Sequence, residues 1–148
     1  MQAPAADAVQ SRATTLVGST DIAAILSTMS QQTEYARLDD ADYDARTARV
    51  FAAVEATLDR WLQEDVIDID THRTGGLLEL EFPGGSKIVL NTQPPLQEIW
   101  LAARSGGLHF RCIEGRWLDT KGRREFFAAL SEAASEQAGR ALRFPPVD

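Results

Sequence analysis

One cysteine, two histidines, no long apolar run and a deficit of positive charge mark this chain before any motif is considered. A single thiol forms no intrachain disulfide and builds no thiolate zinc cluster. Cys112 lies in LHFRCI, in phase with Leu108 and Phe110, the pattern of a buried, reduced thiol. A reducing cytoplasm is the expected compartment. No apolar stretch approaches the ~20 residues of a membrane-spanning helix, so no membrane role is expected. Fifteen Lys and Arg face 22 Asp and Glu, for a net charge of −7. Phosphates would be repelled, which argues against nucleic acid and anionic membranes and favours cations or a basic protein surface. Catalytic signatures are also missing: no nucleophile elbow, no phosphate-cradling loop, no HExxH and no Glu-x-x-His pair. The Gly-Gly pairs at 75–76, 84–85 and 106–107 read as turns. No enzyme is expected.

What remains suits one folded domain: 44% of the 148 residues are hydrophobic and 25% charged. The opening MQAPAADAVQSRATTLVGSTDIAAILSTMSQQ has no aromatic residue and little charge, and it makes a poor secretory or transit signal. We expect a mobile extension over residues 1–38, a folded domain over 39–140 and a surface tail over 141–148. Tyr43, Thr47, Val50, Phe51, Val54, Leu58, Trp61 and Leu62 recur at three- and four-residue spacing, which predicts an amphipathic helix over 42–64. Asp39, Asp40, Asp42 and Asp44 crowd its start, where carboxylates cap free amides and suit the helix dipole.

The period then falls to two. VIDIDT (66–71), LLELEF (77–82), KIVLN (87–91), EIWLA (98–102) and LHFRCI (108–113) read as strands, with a sixth near 116–118. A second helix follows over 124–139, with Phe126, Phe127, Leu130 and Ala134 inward and Gly139 as its stop. This order predicts an α+β two-layer sandwich, in which two terminal helices pack on one face of an antiparallel sheet of five to six strands. The other face would stay open and carry Lys87, Val89, Asn91, Glu98 and Trp100. A tryptophan there is either covered by the tail or a loop, or it is a contact site for a partner. Trp61 and Trp117 read as core or rim residues.

Acidity is concentrated between Asp39 and Glu81, and the balance turns slightly basic afterwards. Clustered carboxylates attract hard cations. No calcium-loop spacing is present, so such a surface would bind metal adaptably or be simply a solvated helix face. His72 lies near the acidic strand, as an added imidazole ligand or an ordinary surface histidine; His109 falls beside Trp100 on the open face.

The acidic helix, the DID strand, GGLLELEF, GGSKIVLNTQPPLQEIWLAARSGGLHF, then Trp117, Lys121 and Phe126 and a helix ending EQAG together resemble the frataxin family, in its bacterial branch, over about residues 40–140. The resemblance implies the same sandwich. It also implies labile binding of iron (Fe²⁺ or Fe³⁺) and a role in iron–sulfur cluster assembly, delivering iron to or regulating a cysteine desulfurase and its scaffold protein. By that resemblance the iron ridge is Glu55 and Asp59 on the helix, then Glu64, Asp65, Asp68 and Asp70, with Asp42 and Asp44 extending it. The docking surface carries over to Asn91, Gln93, Pro95 and Trp100.

Some positions depart from the family pattern. Ala56 follows Glu55 and Arg60 follows Asp59 where paired acids are common; Glu98 replaces a glutamine, and Thr92 a basic residue. Glu98 is therefore expected to change the charge of the docking surface. The extension has no counterpart in the bacterial pattern. A monomer is expected, with iron-driven oligomers as the alternative. Ferroxidase activity would need two irons held close together, which the sequence does not support. A metal-independent docking regulator, or a generic acidic interaction module, remains the rival reading.

Overall fold

The computed structural model describes residues 37–147. The extension expected over 1–38 therefore lies, up to residue 36, outside the described residues.

The first helix, α1 (Asp40–Gln63), forms where the periodic stripe begins. The Asp39 side chain accepts from the Asp42 N–H at 2.7 Å and satisfies one orphan amide of the first turn. Tyr43, Thr47, Val50, Phe51, Val54, Thr57, Leu58 and Trp61 are buried. Leu62 is not: it sits at the stripe's margin in the last turn and is 52% exposed. The helix stops on Asp65, which takes the left-handed conformation (φ 57°) while the Val66 N–H reaches back to the Trp61 carbonyl.

Six strands follow as an antiparallel meander in the order β1-β2-β3-β4-β5-β6. They are β1 (Asp70–Thr74), β2 (Leu77–Glu81), β3 (Lys87–Gln93), β4 (Glu98–Ala103), β5 (Gly106–Ile113) and β6 (Arg116–Asp119). The first strand corrects the expected 66–71. Pairing begins only at Asp70, opposite Glu81, because β2 ends there and turns away through Phe82 and Pro83. Asp68 thus precedes the sheet, and Ile69 is buried without a strand partner. The Gly75–Gly76 hairpin needs both glycines. Gly75 has φ 58°, and a Cβ on Gly76 would meet the Thr92 hydroxyl at 2.1 Å.

Alternation sends Leu78, Leu80, Ile88, Leu90, Ile99, Leu101, Phe110, Cys112 and Trp117 to one face, where they are buried with the α1 stripe. The second helix, α2 (Phe126–Ala138), adds Phe126, Phe127, Leu130, Ala133 and Ala134 to the same core. Glu125 caps it by accepting from the Phe127 and Ala128 amides. Burial pushes the Cys112 thiol above its ordinary pKa, in keeping with an unreactive core thiol.

The expected surface tail after residue 140 instead sends Leu142 and Phe144 into the core, while its other described residues stay exposed. Leu142 and Phe144 are 7% and 2% exposed, and the Phe144 ring lies 4.8 Å from that of Trp61. The Ser131 and Ser135 hydroxyls accept from the Phe144 and Leu142 amides, so the segment is pinned along α2. A segment this short has no periodicity to announce its burial. Phe144→Ala should lower stability by about 3–5 kcal/mol in urea unfolding, with an unchanged slope; a loss below about 1 kcal/mol would return the tail to the surface.

Asp119 closes the β6–α2 connection. Burial alone would raise its pKa, but N–H groups of Gly122, Lys121 and Arg124 and the Arg124 charge overcome that and hold it below the usual carboxylate range. Its stabilisation is therefore complete above the unfolded carboxylate's pKa and is lost as pH falls through the lower folded value. Asp119→Asn should cost about 1–3 kcal/mol at neutral pH. It should also flatten the acid side of the stability profile, as thermal melts across pH would show.

Candidate functional site

The predicted ridge residues separate into two kinds. Asp42 and Glu55 already hold guanidinium groups: Arg46 lies 3.2 Å from Asp42, and Arg73 lies 2.7 Å from Glu55. Arg73 also sits 5.1 Å over the Phe51 ring, so a core aromatic helps to hold it there. Asp44 is exposed on the outer side of α1. Asp59, Glu64, Asp65, Asp68 and Asp70 are exposed and make no side-chain ion pair or hydrogen bond among the described residues. They run from the last turns of α1, through its stop, to the first residue of β1.

These acids line an edge, but they do not converge. Among the described residues, the trio of metal-capable side chains that does converge is His72, Glu79 and Glu81, whose ligand atoms all lie within 4.8 Å of one another. Register explains it: His72 is opposite Glu79, and Glu81 follows two residues on, on the same open face. Sequence reasoning noted each residue in the acidic stretch but missed the grouping. The signal was the two-residue Gly75–Gly76 loop, which fixes the register of the hairpin. A first strand ending at residue 71 left His72 outside the sheet.

Of the residues predicted for docking, Asn91, Gln93 and Trp100 share the open face. Asn91 is opposite Trp100, Gln93 opposite Glu98, and Trp100 opposite His109. Pro95 is exposed in the 3₁₀ turn Pro94–Leu96. Among the described residues Trp100 is half-buried and stacks on His109 at 4.2 Å with ring planes 6° apart. Glu98 lies beneath the pair at 4% exposure. It accepts from Trp100 Nε1 and from the Arg111 guanidinium, each at 2.8 Å, and His109 Nδ1 is 3.7 Å away. Glu98 was expected to alter the charge of the surface. Its charge is instead buried against Arg111, and it acts to orient the tryptophan.

The same corner is fastened to α1. The Tyr43 hydroxyl donates to the Glu98 carbonyl at 2.7 Å and accepts from the Gln93 N–H at 3.1 Å. Burial is the main reason its pKa is pushed up to about 12, so the phenol stays protonated as a donor. Gln97, in the left-handed conformation, grips both backbone groups of Leu38.

Two helices on one face of an antiparallel meander, an acidic edge and an aromatic patch on the open face are what the described residues bring together. The chain belongs to the frataxin-like family, whose domain model matches residues 36–140. It is 48% identical over 109 residues to the iron–sulfur cluster assembly protein CyaY of Paraburkholderia phymatum, covering 74% of this chain and 100% of that protein. Among solved structures, frataxin from Psychromonas ingrahamii superposes with a TM-score of 0.65 at 28% identity, covering 74% of this chain and 100% of that one. Trimeric frataxin from the yeast Saccharomyces cerevisiae, complexed with ferrous iron, matches with a TM-score of 0.54 at 26% identity, over 64% of this chain and 87% of that one.

Tyr43→Phe would leave the Glu98 carbonyl and the Gln93 amide without their shared partner. It should cost about 1–3 kcal/mol, and NMR should show the amide shifts centred on Gln93, Glu98 and Trp100.

Proposed function

We propose that this protein binds iron and serves iron–sulfur cluster assembly, delivering iron to, or regulating, a cysteine desulfurase and its scaffold protein in the cytoplasm. The observation that carries the reading is the run of exposed carboxylates Asp59, Glu64, Asp65, Asp68 and Asp70, without ion-pair partners among the described residues, along the helix–strand edge. Hard cations prefer such oxygen donors, and water completes the shell where no cage closes. Binding of that kind is labile, as a donor requires. The ridge also suits a basic patch on the desulfurase, and bound iron would weaken that docking by neutralising it. Trp100, with Asn91, Gln93 and Pro95 nearby, is the second contact, to the scaffold. The protein acts without catalysing a reaction and as a monomer, with iron-driven assembly as the alternative to test.

A metal-independent regulator is the second reading. It is favoured by Asp42 and Glu55, whose guanidinium partners a cation would have to displace. Asp68→Asn with Asp70→Asn separates the two. Under iron binding, anaerobic Fe²⁺ titration by calorimetry and NMR should weaken at least about tenfold, with wild-type broadening centred on Asp59 to Asp70. If Fe²⁺ binding is unchanged and only desulfurase affinity falls, the ridge is a protein-docking surface.

A further inference from the structure

We propose that His72, Glu79 and Glu81 form a binding site for one first-row divalent transition-metal ion, on the open face of the β1–β2 hairpin, sharing no ligand with the acidic ridge and bordering it at Asp70. The site does not depend on the ridge holding iron.

The geometry comes from the hairpin. Antiparallel pairing sets His72 across from Glu79, and the two-residue period brings Glu81 to the same side. The three ligand atoms already lie within 4.8 Å of one another. Ligands at about 2.0–2.2 Å from one ion stand roughly 3–4 Å apart, so small rotamer changes of exposed side chains close the set. The backbone need not move, because the three residues belong to two paired strands.

The donor set decides the class of ion. One imidazole nitrogen with two carboxylates suits Fe²⁺, Co²⁺ or Zn²⁺ and gives Mg²⁺ and Ca²⁺ little advantage, since those take oxygen ligands alone. This contrasts with the ridge, whose donors are all carboxylates. Open coordination positions would face solvent, because His72 projects from an edge strand and its side chain is 63% exposed.

The surrounding charges oppose and support binding in identifiable ways. Lys87 Nζ is 3.4 Å from Glu79, and His72 Nε2 is 4.0 Å from Glu81. An incoming cation must displace the ammonium, and removing it should strengthen binding. Asp70, opposite Glu81 in register, adds a further negative charge on the same face.

The chain has two histidines, so a long-range ¹H–¹⁵N spectrum reports His72 and His109 separately. Zn²⁺ is the probe, diamagnetic and with no redox chemistry. One equivalent should shift the His72 ring nitrogens and leave those of His109 in place, with a hundredfold excess of Mg²⁺ failing to reverse it. His72→Gln and Glu81→Gln should each weaken Zn²⁺ binding at least tenfold in calorimetry. Asp59→Asn with Asp68→Asn should leave it within twofold. Lys87→Gln keeps all three ligands and should bind several-fold tighter, a gain that a folding defect cannot imitate. The site is overturned if His72→Gln binds Zn²⁺ as wild type does, if the first equivalent shifts ridge amides without His72, or if Lys87→Gln binds no tighter. Failure of the ridge would appear separately, as Fe²⁺ binding insensitive to its acids.

Discussion

Among the described residues, a six-stranded sheet has two faces and two helices cover one of them. Much of the rest of the structure follows from that constraint. Apolar residues must alternate to reach the covered face, and the residues between them stand on the open one. The open face therefore gathers groups that a core would reject: Glu79, Glu81, Lys87, Asn91, Glu98, Trp100, His109 and Arg111. The covered face is committed to packing, so the side chains that a ligand could reach stand on the open face and at the helix–strand edge.

The open face is nonetheless not uniformly wet. Trp100 stacks on His109, and Glu98 is buried between Trp100 and Arg111. A carboxylate so enclosed is tolerable only because it accepts charge-assisted hydrogen bonds. The result is a flat, pre-set aromatic platform whose orientation costs little to fix on binding. Tyr43 joins this platform to the core from the opposite side of the sheet, through the Glu98 carbonyl and the Gln93 amide. Position on the face and stability of the fold are thus coupled through one phenol.

The acids divide along similar lines. Asp42 and Glu55 are already paired with arginine, Asp42 within α1 itself and Glu55 across to Arg73 of β1, so only the second pair ties the helix to the sheet. Those without ion-pair partners among the described residues run from the last turns of α1, at Asp59, through the connection, to the first residue of β1, Asp70. Exposed carboxylates of this kind favour weak and reversible cation contact.

By itself the sequence determined the order and kind of the elements, the faces of the long helix and of the strands from Leu77 onward, the Asp39 and Gly139 ends of the two helices and that acidity is segregated. These are local matters of period, capping and turn chemistry, readable from Tyr43 to Trp61 or from Leu78 to Phe82 one residue at a time. The family, too, was legible in the spacing from Gly84 to Phe110. Only the tertiary structure decided where β1 starts, because a strand exists where a neighbour offers backbone to pair with, and none does before Asp70. It alone buried Leu142 and Phe144, gave Glu98 its counter-charge thirteen residues away in Arg111, attached Arg73 to Glu55, and brought His72 to Glu79 and Glu81. Periodicity encodes the face a side chain takes, but which charged groups meet there depends on the register of strands and on helix packing, and neither is written in any one stretch of chain.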